Sequence, residues 1–398
     1  MTQNIYPTLR LRPNAAVHAI RQGFPWIYNN ELVLDRRSKK LPAGSVVIVE
    51  DSERRSIGLG GINPLSKIAV RILDRDIEAE IDHTWFLKRL NAALHLREVL
   101  FEQPFYRLVH AEADGMPGVI IDRFGSLAVM QPNAAWAEMR LAVLSQALLE
   151  VEGITCVLKN AGGRSRALEG LDSQNDILIG ERPETTVDVP MNGAVYKADL
   201  ISGQKTGLYF DQRPNHAFAA SLANGRTVLD VFSHVGGFSL AALAAGAQSA
   251  RAVDGSEAAL DLAMQGAVAS GVVEKFETQK GDAFAQLSAL AEAGEKFGLV
   301  ICDPPAFASS KPALEAGLRA YEKVARLAAH LVEEGGFLVL CSCSHATGLV
   351  KFRTACNRGI GRAGRSAQLF HTGFAGADHP LHPQLAESGY LKALFYRL

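Results

Sequence analysis

The second half of the chain alternates short apolar runs with helical stretches, and no other feature constrains the fold as much. Apolar runs lie at 228–231, 250–253, 299–302 and 337–341, and helical stretches near 238–245, 257–270, 283–292 and 313–331. Antiparallel strands can be joined by a tight turn, whereas parallel strands need a crossover long enough to hold a helix. The alternation therefore predicts a doubly wound parallel sheet, an α/β fold. In such sheets ligands sit beyond the carboxyl ends of the strands, where strand order reverses. The residues that follow each run are the ones to read for chemistry.

After the first run comes Phe232-Ser233-His234-Val235-Gly236-Gly237. Its glycines allow close backbone approach to a ligand. The turn is not Gly-x-Gly-x-x-Gly, which speaks against an NAD-dependent dehydrogenase. The second run ends at Asp254, followed by Ser256, where a carboxylate can meet ribose hydroxyls. The third turn holds Asp282 and Ala283, and the fourth Asp303 and Pro304. The bland reading of each acid is a helix N-cap. As an ordered set they form an acid-rich rim without an anion cradle. That suits the cationic S-adenosyl-L-methionine better than a dinucleotide carrying a pyrophosphate. The cofactor-binding set read from these turns is Phe232, Ser233, His234, Gly236, Asp254, Ser256, Asp282, Ala283, Asp303 and Pro304.

The last run, 337–341, leads into Cys341-Ser342-Cys343-Ser344-His345, the fifth turn of the series. Carbon 5 of cytosine is a poor nucleophile until a thiolate adds at carbon 6, and a strand-end cysteine suits that task. Cys341 lies on the strand and reads as a small core residue. Cys343 lies past it and is the candidate nucleophile. His345 reads as a tuner of the thiol, a phosphate ligand or a cap. Asp303 is the second catalytic candidate, holding the cytosine ring nitrogen. The base that removes the carbon-5 proton is not identified. Asp303-Pro304-Pro305-Ala306-Phe307 resembles the Asp/Asn-Pro-Pro-aromatic loop of amino-group methyltransferases, with an alanine that shifts its register. Amino-group methylation of adenine or guanine is therefore the alternative reading.

Upstream, strands near 8–11, 46–49, 57–61 and 68–73 suggest a small β-barrel. Residues 74–200 mix helix and strand. Helices are expected over 84–101 and 136–150, a strand pair over 119–131, and a hairpin at 190–199 closed by Asn192-Gly193. Arg97 interrupts the apolar stripe of its helix and is expected to lay its stem along the core edge. The expected domains are 1–73, 74–200 and 201–398. Over 398 residues the net charge is −1, which excludes a uniformly basic nucleic-acid binder. RNA contact would need local patches, such as Arg36, Arg37, Lys39 and Lys40, or Arg358, Arg362 and Arg365. No run approaches the ~20 apolar residues of a membrane span, and residues 1–12 lack a signal-like apolar stretch. Five scattered cysteines make no disulfide framework, and Cys341 and Cys343 match no zinc spacing. The expectation is a cytoplasmic protein with no metal and no membrane partner. A homodimer is kept as a candidate assembly.

Several longer motifs carry a family resemblance. They are Gly23-Phe24-Pro25-Trp26-Ile27-Tyr28-Asn29-Asn30-Glu31, Asn63-Pro64-Leu65-Ser66-Lys67-Ile68-Ala69-Val70-Arg71, and Ala113-Asp114-Gly115-Met116-Pro117-Gly118 with Asp122-Arg123-Phe124-Gly125. Downstream stand Gly203-Gln204-Lys205-Thr206-Gly207-Leu208-Tyr209-Phe210-Asp211-Gln212-Arg213, Asp378-His379-Pro380 and Tyr390-Leu391-Lys392. The chain resembles, over essentially its whole length, the bacterial PUA-domain-containing methyltransferases that make 5-methylcytosine in large-subunit (23S) ribosomal RNA. The resemblance implies a PUA barrel that helps grip RNA, a middle α+β domain and a C-terminal Rossmann-like catalytic domain. It implies that Lys205, Thr206, Asp211, Gln212 and Arg213 border the cofactor, and that Cys343 is the catalytic cysteine. The chain departs from the family at Phe24, where histidine is usual, and at His234-Val235, where the family shows Tyr-Thr. A hydroxyl is lost at Val235, so any contact there comes from backbone.

Overall fold

Four consecutive apolar residues, Val46-Val47-Ile48-Val49, leave a strand no face to offer to water. The computed structural model, which describes residues 6–183, 186–201, 207–308 and 310–398, buries both faces. Val47 and Val49 join Leu9, Ile27, Ile62 and Val70 in one core, while Val46 and Ile48 join Phe86, Trp136 and Leu148 in another. The chain forms two units. One comprises Met1–Thr185, Leu200–Gly207 and Asp378–Ala386, and the other Thr186–Asp199, Leu208–Ala377 and Glu387–Leu398.

In the first unit, β1 (Thr8–Arg10), β2 (Trp26–Tyr28), β3 (Val46–Glu50), β4 (Ser56–Ile62) and β5 (Ile68–Asp74) form a sheet of order β1-β3-β4-β5-β2. Its edges meet beyond β1, where Leu11 bridges Leu32 and the Val33 N–H donates to the Arg10 carbonyl at 2.9 Å. The sheet thereby closes into the expected barrel, with α1 (Val17–Arg21) beside it. A second sheet contains β6 (Phe105–His110), β7 (Val119–Phe124), β8 (Leu127–Pro132), β9 (Cys156–Lys159) and β10 (Asp176–Ile179), in the order β10-β9-β8-β7-β6. Helix α2 (His83–Leu100) is capped by Asp82, which accepts from the Trp85 N–H at 2.9 Å. The helix expected over 136–150 is two, α3 (Ala135–Glu138) and α4 (Leu141–Leu149). They separate at Arg140, whose backbone leaves helical angles while its guanidinium donates to the Gly44 carbonyl at 3.0 Å. A short α5 (Arg164–Leu168) follows.

Arg97 corrects one expectation. Its guanidinium is fully buried, not laid along an edge. It meets both oxygens of Asp114 at 2.7 and 2.8 Å, and the carbonyls of Arg107 at 2.8 Å and Asp378 at 2.9 Å. Asp378 also accepts from the Arg107 N–H at 3.0 Å and pairs with His379 at 2.9 Å.

The second unit opens with the hairpin β11 (Val187–Met191) and β12 (Ala194–Ala198). Asn192 and Gly193 close it with φ of +52° and +77°, the left-handed pair that a two-residue hairpin turn prefers. The hairpin packs within this unit: Val195 N–H donates to Ser270 Oγ at 2.8 Å, and Tyr196 Oη to the Gly237 carbonyl at 3.1 Å. The main sheet comprises β13 (Thr227–Val231), β14 (Ser249–Asp254), β15 (Phe276–Lys280), β16 (Phe297–Cys302), β17 (Val332–Ser342), β18 (Gln368–Gly373) and β19 (Lys392–Arg397). Its order is β15-β14-β13-β16-β17-β19-β18. The helices are α6 (Arg213–Ser221), α7 (Gly237–Ala244), α8 (Glu257–Ala269), α9 (Ala283–Glu292), α10 (Leu314–Leu331) and α11 (Leu349–Arg362). β13 to β17 run parallel, as the alternation required. β19 is antiparallel to both its neighbours, so the Rossmann-like sheet is mixed at one edge. Strand order reverses between β13 and β16, which places the ligand crevice at their carboxyl ends.

Candidate active site

The turn after β13 is held in backbone that side chains rarely adopt. Phe232 and His234 have φ of +64° and +49°, and non-glycine residues in this region cluster at functional sites. The Phe232 and Ser233 N–H groups donate to the Val253 carbonyl at 2.9 and 3.1 Å, and the His234 N–H donates to Asp254 Oδ2 at 2.9 Å. Gly236, at φ +76°, caps α7. A Cβ on Gly237 would lie 2.6 Å from the His216 ring, so the helix can start this close only with glycine. Burial pushes His216 down to about 3, leaving it neutral. Beneath the turn, buried Asp230 accepts from the Ser239 N–H at 3.0 Å and Oγ at 2.8 Å, which satisfies an orphan donor of α7. Burial outweighs these bonds and pushes the Asp230 carboxyl up to about 6.

Asp254 joins the first turn to the second, since its Oδ1 accepts from the Ser256 N–H at 2.8 Å. Ser256 caps α8 through the Ala259 N–H at 3.3 Å, and exposed Asp282 caps α9 through the Ala285 N–H at 2.9 Å. Ala283, the first residue of α9, is buried. For Ser256 and Asp282, then, the helix-cap role is realised in the geometry.

The fourth turn carries half-buried Asp303 and buried Pro304. Asp303 N–H donates to the Val231 carbonyl at 3.2 Å, and its Oδ2 accepts from Gln212 Nε2 at 2.8 Å. Gln212 Oε1 is itself filled by Asn215 Nδ2 at 2.6 Å, so the Gln212 amide can turn only its donor side to Asp303. Asp211 accepts from Tyr390 Oη at 2.6 Å, and Arg213 lies over the Phe210 ring at 5.3 Å. Lys205 and Thr206 lie outside the described residues. Tyr209 was not singled out from the sequence. Its ring sits 5.0 Å from His234, and its phenol is pushed up to about 12 by burial and then by Asp211, Asp303, Cys343 and Asp254. It therefore lies in the field of both catalytic candidates.

After β17, Cys343 is partly exposed, and its Sγ lies 4.0 Å from the Pro304 carbonyl, which ties the fifth turn to the fourth. The other four cysteines are buried, and burial pushes the Cys341 thiol well above its usual range. Ser342 and Ser344 bracket Tyr321 Oη at 2.9 and 2.7 Å, and Ser344 Oγ accepts from the Ala308 N–H at 3.1 Å. Lys392, on β19, donates to the carbonyls of Ser344 at 2.8 Å and Thr347 at 2.7 Å. Exposed His345 lies 5.1 Å from the Tyr390 ring. Phe307 packs among Tyr321 at 5.0 Å, Phe284 at 6.0 Å and Phe232 at 6.2 Å. An aromatic committed to such a cluster is a poor platform for a target base, which weakens the amino-group alternative.

Ser233 Oγ and one oxygen each of Asp211 and Asp230 are buried without a partner, as expected where a polar ligand completes a site. Together with the acids at the strand ends, they fit S-adenosylmethionine. Among the described residues no group of three or more His, Cys, Asp or Glu could hold a metal. The expected C-terminal basic patch is reduced. Arg365 is spent on the carbonyls of Ala329, Val332 and Glu333, and Arg362 pairs with Glu322.

Comparison with known proteins adds to this geometry. Residues 9–75 match the PUA-like domain family, and residues 149–397 match the S-adenosylmethionine-dependent methyltransferase family. Ribosomal RNA large subunit methyltransferase I of Photobacterium profundum is 35% identical over 379 residues, 94% of this chain and 95% of its own length. The protein of that name from Klebsiella pneumoniae is 31% identical over 402 residues, covering 100% of both chains. Among solved structures, a chain described as an S-adenosylmethionine-dependent methyltransferase from Streptococcus mutans aligns with a TM-score of 0.82 at 19% identity, over 98% of this chain and 100% of its own. Another, solved with S-adenosylhomocysteine, aligns at 0.83 and 18% identity over the same shares. At these identities the structures speak for the fold.

Proposed function

Because the chain belongs to the ribosomal RNA large subunit methyltransferase I family of S-adenosylmethionine-dependent methyltransferases, we propose that it makes 5-methylcytosine in 23S ribosomal RNA, with Cys343 as nucleophile and Asp303 holding the base. The observation that carries this reading is the meeting of the fourth and fifth turns. The one partly exposed thiol stands there beside the Asp303-Pro304 turn.

S-adenosylmethionine, when bound, supplies an electrophilic methyl group. Asp254 and the first turn would hold its ribose and amino-acid parts, and Tyr209 closes the same side. The Cys343 thiolate adds to carbon 6 of the flipped cytosine, which places an electron pair on carbon 5. Asp303, fixed by the Gln212 amide, holds the amine and ring nitrogen of the base. Once carbon 5 carries the methyl group, loss of its proton to a base restores the ring double bond, and the sulfur leaves with its electron pair.

The barrel, at 1–73, is read as the part that grips RNA, 74–200 as the middle domain and 201–398 as the catalytic domain. The PUA-like match at 9–75 supports the first assignment. The expected compartment is the cytoplasm. No helix among the described residues is long and apolar enough to cross a membrane.

The test uses purified protein, cofactor and unmodified 23S RNA, with nucleoside mass analysis. We expect 5-methylcytosine, lost to below about a thousandth in Cys343→Ala. An N-methylated base, or normal methylation by that variant, would sink the reading.

A further inference from the structure

Lys392 is 4% exposed. Burying an ammonium is costly unless an anion accompanies it, yet no carboxylate forms an ion pair with it among the described residues. Its hydrogen-bond partners are two neutral carbonyls, Ser344 and Thr347, on the turn that directly follows Cys343. In the β17–β19 register Lys392 stands opposite Ser342, one residue before the thiol.

We propose that Lys392 is the positioning and electrostatic partner of Cys343, its ammonium holding the catalytic turn by two carbonyls and favouring the thiolate. This rests on Cys343 being the nucleophile. Among the described residues, the other titratable groups around the thiol are Tyr209, Tyr321, Asp303 on the adjoining turn and exposed His345 on its own. The two tyrosines have phenols raised by burial, and Cys343 is among the charges that act on each. Lys392 is the buried ammonium bonded to the turn that follows Cys343. Burial pushes the Lys392 amine down to about 8, against the opposite pull of Cys343, so it still carries its charge at neutral pH. A thiolate is the reactive form of cysteine, and an adjacent cation lowers the pH at which it forms.

The experiment follows alkylation of Cys343 by iodoacetamide across pH in the full-length protein, read by peptide mass. The buried cysteines leave Cys343 as the accessible thiol. In Lys392→Met the midpoint should rise by about one unit and alkylation at pH 7 should slow about tenfold. Lys392→Arg should restore the midpoint by restoring the charge. A folded Lys392→Met protein with an unchanged midpoint overturns the proposal. Should that variant not fold, the wild-type midpoint decides: it should lie below that of an ordinary thiol, and a value at or above about 8.5 overturns the proposal. The midpoint is independent of RNA methylation, so its failure is distinguishable from failure of Cys343→Ala to abolish 5-methylcytosine.

Discussion

Arg97 in the first unit and Lys392 in the second are both buried cations, and they are satisfied in different ways. Arg97 has a carboxylate gripped through both oxygens and carbonyls for its remaining donors. Arg107 and Arg166 of the same unit are likewise paired, with Asp122 and Glu138. Among the described residues Lys392 has carbonyls alone, and elsewhere in the second unit Asp211, Asp230 and Ser233 each keep a buried polar atom without a partner. The first unit has exceptions, at Arg71 Nε, Asn133 Oδ1 and Ser145 Oγ. Fully paired charge specifies shape. Partly paired charge, placed where the strands end, keeps capacity for a ligand or a reaction.

That contrast can be broken by substitution. Arg97→Ala strands the Asp114 carboxylate in the core and should cost about 3–5 kcal/mol of stability in urea denaturation. Methyl transfer per folded molecule should be unchanged, and a fall there would mean the first unit's charges also serve the chemistry. Gln212→Leu should do the opposite. It releases Asp303 from its tether, so turnover should drop about a hundredfold, equivalent to about 2.7 kcal/mol. Calorimetry should show cofactor affinity within a few fold of wild type. A large loss of affinity would move Gln212 from positioning Asp303 to binding the cofactor.

The smallest effect concerns Asp230. Its carboxyl is raised in the folded protein, so between about pH 4 and 6 the native state holds a proton that the unfolded chain has released. Stability from this group is therefore present at low pH and declines as pH rises through that window. Asp230→Asn keeps an acceptor for Ser239 without a titrating proton. Its melting temperature should fall less than the wild type's from pH 4 to pH 6, by about 2–4 °C. Parallel profiles would show that the ionised carboxylate costs the fold nothing there.

The alternation of apolar runs and helices was legible because each element repeats a simple period. The crossovers it predicted fall within a residue or two of α7 to α10. The antiparallel pair β18 and β19 was not legible, since no helical crossover announces it. Helix α11 contains Gly359 and Gly361, which weaken helical propensity. Helix α6 did carry a signal, proline in its first turn. At the site, the strand-end acids could be read because their position follows from topology. Tyr209 and Lys392 could not, although both stand in quoted motifs. Lys392 reaches the catalytic turn by cross-strand register, which local sequence does not reveal. Arg97 was misplaced for the same reason, since its acceptors other than Ala93 lie off its own helix, one of them 281 positions away.

That distance sets an order of assembly. A ribosome delivers the chain from its N-terminus at about 5–20 residues per second. Arg97 and Arg107 therefore emerge long before Asp378, which completes their bonding. The polar cluster of the first unit stays incomplete until Asp378 has been made, and until then the Arg97 guanidinium lacks one of its acceptors.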